Sequence, residues 1–331
     1  MSNAPAIEAI DLTKSFGKKH ALQGINLNVE PGQVYGLLGP NGAGKTTTVG
    51  ILATLLRPTS GTARVLGFDV ASQPREIRSR ISLTGQYASV DEDLTGKENL
   101  VLIARLCGFG WKQSRARADE LLSAFDLEDS ATHLVRTYSG GMRRRLDVAA
   151  GLIVTPQLVF LDEPTTGLDP RSRNQVWDIV RLIAGSGSTV LLTTQYMDEA
   201  DRLAHRLAVI DRGKVIAEGT AAELKSGVGA NTLKVRFYSV EERNRAEQAL
   251  SGGMSLTIHP GHDAFSFMAG IEQEAQIAKS FHLLSENGIR IAEFTVGQPS
   301  MDEVFFALTG HPAIDEPEPG HPDGAIKEPG S

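Results

Sequence analysis

The chain has 331 residues, 41% hydrophobic and 22% charged, with a net charge of −7; that length suggests about two domains and room for a sizeable core. A pI near 5.7 shows no basic excess, which argues against a nucleic-acid partner, and the single cysteine, Cys107, excludes a disulfide framework or a thiol zinc site and fits a reducing cytoplasm. No apolar run approaches the ~18 residues needed to span a bilayer, and the start lacks the charged-then-apolar order of a signal peptide, so the chain is expected to be soluble, with any membrane role supplied by a partner.

Residues 7–30 alternate in strand fashion, as in Ile25-Asn26-Leu27-Asn28-Val29, and predict antiparallel strands. The apolar run Val34-Tyr35-Gly36-Leu37-Leu38 predicts a buried strand, and residues 45–56 a helix with Val49, Leu52, Leu55 and Leu56 on one side. Helices are predicted over 98–107, 113–125 and 142–154, punctuated by Gly108, Gly110 and Asp126-Leu127-Glu128-Asp129. From 157 onward strands (158–161, 189–193, 207–210) alternate with helices (171–183, 197–204), the pattern of a parallel α/β core. Arg212-Gly213 predicts a hairpin turn, and residues 226–231 a linker.

Beyond the linker the order is strand, helix, strand, strand, helix, strand, over 232–238, 241–250, 255–259, 264–268, 271–287 and 290–296. That is the order of a split βαβ, ferredoxin-like unit. Ser300 and Glu303 form a capping box that opens a last helix. Its stripe of Met301, Val304, Phe305 and Leu308 is expected to pack on its own domain. Residues 311–331, rich in Pro, Gly and acids, predict a disordered tail.

Three motifs carry chemistry. Between the buried strand and its helix stands Gly39-Pro40-Asn41-Gly42-Ala43-Gly44-Lys45-Thr46-Thr47, which fits the phosphate-loop pattern G-x-x-x-x-G-K-[ST] in the strand–helix setting it requires. Its glycines let the backbone wrap an anion, and its N–H groups and the helix N-terminus offer partial positive charge to a phosphate. Lys45 adds a full charge for the β/γ oxygens, and the Thr46 hydroxyl suits Mg²⁺. The glycine order is wrong for a dinucleotide fingerprint. Second, the strand Leu158-Val159-Phe160-Leu161 ends in Asp162 and Glu163, at the edge where ligands bind in open α/β sheets. Adjacent carboxylates on extended backbone point to opposite sides, so Asp162 suits the metal and Glu163 suits a water as general base. Third, Ser139-Gly140-Gly141-Met142 opens a helix with unsatisfied N–H groups, again an anion site.

Together with Gln86, Tyr138, Leu161 and Thr166-Gly167-Leu168-Asp169, these motifs in this order resemble the ATP-binding subunit of an ABC transporter over about residues 6–225. Leu83-Thr84-Gly85-Gln86-Tyr87, Tyr138-Ser139-Gly140-Gly141-Met142-Arg143-Arg144-Arg145-Leu146-Asp147, Thr193-Thr194-Gln195-Tyr196-Met197-Asp198-Glu199-Ala200-Asp201 and Pro299-Ser300-Met301-Asp302-Glu303-Val304-Phe305 are similar to the daunorubicin/doxorubicin-resistance ATP-binding proteins. The resemblance implies an α/β P-loop NTPase core with antiparallel β and helical subdomains. The nucleotide-binding domain is expected over 1–229 (helical subdomain about 87–155), a C-terminal α+β accessory domain over 230–310, and the tail over 311–331.

It also implies an ATPase using ATP and Mg²⁺, working as a homodimer. Each ATP is expected to lie on one subunit's phosphate loop and against Ser139, Gly140 and Gly141 of the other. Phe16 matches the residue that stacks on adenine, Gln86 the sensor of Mg²⁺ and γ-phosphate, and Asp169 an inter-subunit contact near Glu163. The expected partner is a separate integral membrane permease, which places the chain peripherally on the cytoplasmic face of the cell membrane, energising drug or antibiotic efflux. The main departure is Gln195, where most relatives carry histidine. A glutamine amide still donates to an anionic oxygen but does not titrate near neutral pH. Two further readings are a soluble ATPase of this type acting on nucleic acid or the ribosome, and an importer subunit; the low basicity argues against the first, and the drug-resistance-like segments against the second.

Overall fold

The computed structural model describes residues 4–85, 89–228, 231–254, 256–261, 263–271 and 273–310. The expected tail over 311–331 lies outside them.

The first sheet is antiparallel. It takes β1 (Ile7–Phe16) and β2 (Lys19–Val29) from the alternating N-terminal segment. The second sheet begins with β3 (Val34–Leu38), which leads into α1 (Lys45–Leu52). The chain then returns to the first sheet as β4 (Ser60–Val65) and β5 (Phe68–Asp69), giving the order β2-β1-β4-β5. The predicted helix over 45–56 is shorter than expected: it stops at Leu52, Thr54 adopts φ +62° and Leu55 is 64% exposed.

After α2 (Pro74–Arg78) comes β6 (Ile81–Thr84), and then three helices: α3 (Gly96–Leu106), α4 (Trp111–Ala124) and α5 (Gly140–Gly151). They are followed by β7 (Leu158–Asp162), α6 (Pro170–Gly185), β8 (Thr189–Thr194), α7 (Met197–Leu203), β9 (Arg206–Asp211) and β10 (Lys214–Gly219). The six-stranded sheet runs β10-β9-β3-β8-β7-β6. It is parallel from β9 to β6 and closes on the antiparallel hairpin β9–β10. Every residue of β3, β7 and β8 is buried, as expected of parallel strands covered on both faces.

The helix α8 (Ala221–Val228) occupies part of the predicted linker; Val228 is 7% exposed and packs in a cluster with Leu38, Leu207 and Val209, which explains why the Gly-containing stretch remains helical. The last unit comprises β11 (Asn231–Phe237), α9 (Val240–Gly253), β12 (Ile258–Pro260), β13 (Ser266–Ile271), α10 (Glu274–Glu286), β14 (Ile291–Gly297) and α11 (Met301–Thr309). Its sheet runs β12-β13-β11-β14 with every pair antiparallel, which is the split βαβ arrangement.

The capping box of α11 forms as predicted, with Ser300 and Glu303 bonding to each other's backbone N–H. Its apolar stripe does not stay within its own unit. Met301, Val304 and Phe305 bury with Leu38, Met197, Ala200, Leu207 and Val209, while Leu308 is 43% exposed. The amphipathic pattern specifies a buried face but not the partner that buries it. Lys234 of β11 braces the helix through a 2.7 Å ion pair to the buried Glu303.

Candidate nucleotide site

The phosphate loop runs from β3 into α1 and is tied to the end of β8. The Gly39 N–H donates to the Thr194 carbonyl at 3.1 Å. Gly42 and Gly44 adopt φ +79° and +111°, which side chains disfavour. At Gly44 a Cβ would also sit 2.6 Å from Leu22 Cδ2 and 2.9 Å from the Ala21 carbonyl oxygen. Lys45 is buried; its Nζ donates to the Gly39 and Pro40 carbonyls at 2.7 and 3.0 Å and pairs with Glu163 Oε1 at 3.0 Å. Burial lowers its pKa, against the opposing pull of Glu163 and Asp162. Phe16, Asn41, Gly42, Thr46, Thr47 and Glu163 line a cleft of about 200 Å³ beside it. Phe16 is 48% exposed and so stands outside the core, with Lys14 Nζ 5.0 Å from its ring centre.

The acidic pair diverges, but not on a continuous extended backbone as expected: β7 ends at Asp162, and Glu163 leaves the strand in a left-handed turn. Asp162 turns toward β8 and accepts from Thr193 Oγ1 at 2.5 Å. Glu163 turns toward the phosphate loop. Its N–H is held by the Thr193 carbonyl at 3.1 Å, and its Oε2 accepts from Thr166 Oγ1 at 3.2 Å. Glu163 has φ +48°, a conformation that costs a non-glycine residue about 1–2 kcal/mol and persists only where its surroundings hold it.

Ser139 caps α5, accepting from the Met142 N–H at 3.2 Å. Gly140 lines a second cleft, of about 550 Å³, with Glu163, Thr166, Gly167 and Leu168. Gly141 packs against Ser172, leaving no room for a side chain. None of Ser139, Gly140 and Gly141 lines the phosphate-loop cleft of the same chain. Asp169 caps α6, taking the Arg171 and Ser172 N–H groups at 3.0 Å each and Ser172 Oγ at 2.6 Å. The Ser172 bonds hold its carboxyl below the usual range. Gln195 is half-buried and follows Thr194, whose carbonyl receives Gly39. Gln86 lies outside the described residues.

Sequence reasoning missed Glu199. It is fully buried on α7 and accepts from Thr165 Oγ1 and Trp177 Nε1, both at 2.9 Å, with burial raising its pKa. An acid on a short helix gave no sign of this, because its partners are remote in sequence. Among the described residues no three His, Cys, Asp or Glu side chains cluster as a metal cage. The exposed Thr46 hydroxyl and the Asp162 carboxylate still fit Mg²⁺, which takes oxygen ligands and commonly one or two carboxylates plus substrate phosphates.

Residues 22–166 match the family described as ABC transporter. Over 310 residues the chain is 57% identical to a daunorubicin/doxorubicin resistance ATP-binding protein, DrrA, of Streptomyces peucetius, covering 94% of each. It is 44% identical over 317 residues to the doxorubicin resistance ATP-binding protein DrrA of Mycobacterium tuberculosis, covering 93% of this chain and 94% of that one. Among solved structures it resembles a dimeric ATP-binding cassette in a post-hydrolysis state bound to ADP and Pi, with a TM-score of 0.59 and 26% identity, covering 65% of this chain and 98% of the other. No helix among the described residues is long and apolar enough to cross a membrane. A phosphate loop facing a buried Asp-Glu strand end, and near-full-length likeness to DrrA, make this chain a member of the ABC transporter ATP-binding subunits, of the daunorubicin/doxorubicin-resistance type, that bind and hydrolyse ATP.

Proposed function

We propose that this ATPase energises a drug or antibiotic exporter, acting as a homodimer on a separate membrane permease at the cytoplasmic face of the membrane. The observation that carries the reading is that Ser139, Gly140 and Gly141 do not line the phosphate-loop cleft of their own chain, while Gly140 lines the adjoining cleft that shares Glu163 with it. A second copy laid head to tail supplies them to the ATP held on the first. The resistance proteins named above support the substrate class.

In this reading Phe16 stacks on adenine, and the backbone from Gly39 to Thr47 wraps the phosphates. Lys45 leaves Glu163 for the β/γ oxygens, and Gln195 donates to the γ-phosphate. Glu163 then takes a proton from water as its oxygen attacks the γ-phosphorus and the β–γ bridging O–P bond breaks. Thr46 and Asp162 would hold Mg²⁺, which would supply charge neutralisation to the phosphates, and Gln86 keeps the sensor role that the resemblance implies. Asp169 sits where the two copies meet.

The test has two arms. Glu163→Gln with ATP and Mg²⁺ should sediment as a dimer, and wild type co-expressed with its candidate permease should fractionate with membranes. A chain that remains monomeric refutes the sandwich; one that stays soluble and binds nucleic acid refutes transport.

A further inference from the structure

Arg144 lies one turn inside α5, past Ser139, Gly140 and Gly141, and is only 8% exposed. Its guanidinium donates to three backbone carbonyls on other segments. Nε reaches Pro164 O at 2.9 Å, Nη2 reaches Asp162 O at 3.2 Å, and Nη1 reaches Gly85 O at 2.5 Å. Two of these carbonyls flank Glu163, the residue with φ +48°. Three residues along the helix, Asp147 is 4% exposed and fixes the other side. Its Oδ1 takes the Ser89 N–H and hydroxyl at 2.8 and 2.7 Å, and its Oδ2 stands 3.6 Å from Arg144 Nη1. A buried ion pair of this sort contributes little net stability, because desolvation offsets the attraction. Its arrangement is what distinguishes it: a planar fork that meets several carbonyls at once, which an ammonium cannot copy.

We propose that Arg144, locked by Asp147, is a positioning residue for catalysis. It holds the backbone on both sides of Glu163 in the left-handed conformation that aims the carboxylate at the phosphate site. It also ties that carboxylate to the helix that carries Ser139, Gly140 and Gly141. The surface offered to a second copy and the base used in the same copy are thereby one rigid part. The inference rests on Glu163 acting as general base.

The test is made on the full chain with Arg144→Ala, Arg144→Lys and Asp147→Asn, each also combined with Glu163→Gln. Arg144→Ala should lower kcat by about 10–100-fold, the scale of a small misplacement of a reacting group, while the ATP dissociation constant stays within about threefold. Arg144→Lys keeps the charge and should not rescue. In the Glu163→Gln background, residual single-turnover hydrolysis should fall no further when Arg144 is changed, because the group it positions is gone. A merely structural arginine would add its full loss there, and that additivity, or an Arg144→Ala enzyme with wild-type kcat, overturns the proposal. Should Arg144→Ala fail to fold, Arg144→Lys and Asp147→Asn carry the same comparison. If Glu163→Gln alone keeps wild-type turnover, the general-base reading falls, and that result is distinct from either outcome at Arg144.

Discussion

Lys45 Nζ lies 3.0 Å from Glu163 Oε1, so the cation that would grip phosphate is held by the carboxylate that would activate water. Bound nucleotide must compete with that contact. Glu163→Gln weakens the competitor and should tighten ATP binding by about tenfold, equivalent to ~1.4 kcal/mol. Turnover should drop by ~10²–10⁴ as the base is lost. Titration with a fluorescent ATP analogue beside a phosphate-release assay checks both, and weaker binding by the variant would refute the competition.

Gln195 follows the strand residue whose carbonyl receives Gly39. Its amide is a donor without titration, so Gln195→Ala should cost ~10²–10³ in rate. Gln195→His should stay within about tenfold and add a pH-dependent limb near the imidazole value of ~6.5. A loss below about threefold in Gln195→Ala would show the amide to be a bystander.

Thr166 Oγ1 donates to Glu163 Oε2 at 3.2 Å. Hydrogen bonds to charged groups contribute about 1.5–3 kcal/mol, so Thr166→Val should lower kcat by roughly tenfold to a hundredfold with little change in ATP affinity. A change confined to KM in steady-state kinetics would assign Thr166 to binding instead.

Two phenylalanines should separate stability from ligand binding. Phe305 is fully buried between α11 and the nucleotide core, and Phe305→Ala should cost about 3–5 kcal/mol in urea unfolding. Phe16 is 48% exposed, so Phe16→Ala should shift stability by less than about 0.5 kcal/mol. If its ring stacks on adenine, the same variant should weaken ATP binding roughly tenfold, since aromatic–base stacking is worth about 1–3 kcal/mol.

Glu199 gives a pH signature. Burial raises its pKa above the ordinary 4.5, Asp198 adds to the rise, and the Thr194, Thr165 and Trp177 donors oppose it. Above pH 4.5 the unfolded chain therefore releases a proton that the folded chain keeps. Stability contributed at this site falls as pH climbs from 4.5 toward the folded value. Glu199→Gln carries no such proton, so it should gain stability relative to wild type across that window. Parallel urea-midpoint curves for the two proteins would count against the assignment.

The parts of the site that were legible in the sequence are those whose chemistry is contiguous. The run from Gly39 to Thr47, the Asp162-Glu163 pair and the Ser139 cap each sit on neighbouring residues, although the left-handed turn at Glu163 does not follow from that spacing. The parallel core was legible from unbroken apolar strands such as Leu158-Val159-Phe160-Leu161. What escaped detection joins residues far apart in the chain. Glu199 meets Thr165 and Trp177, and Arg144 meets Gly85 and Asp162, only after the sheet is assembled. The stretch 226–231 looked like a linker because local glycine content cannot reveal that Val228 has a buried seat beside Leu38.

That seat and the face of α11 have a consequence for biosynthesis. Leu38, at the root of the phosphate loop, shares its packing with Phe305, about 270 positions later in the chain. A polypeptide still emerging from the ribosome cannot complete this layer, although domains generally fold as units in order of synthesis. This layer should complete only after α11 has emerged, and nascent chains halted before Met301 should stay protease-sensitive around Leu207 and Val209.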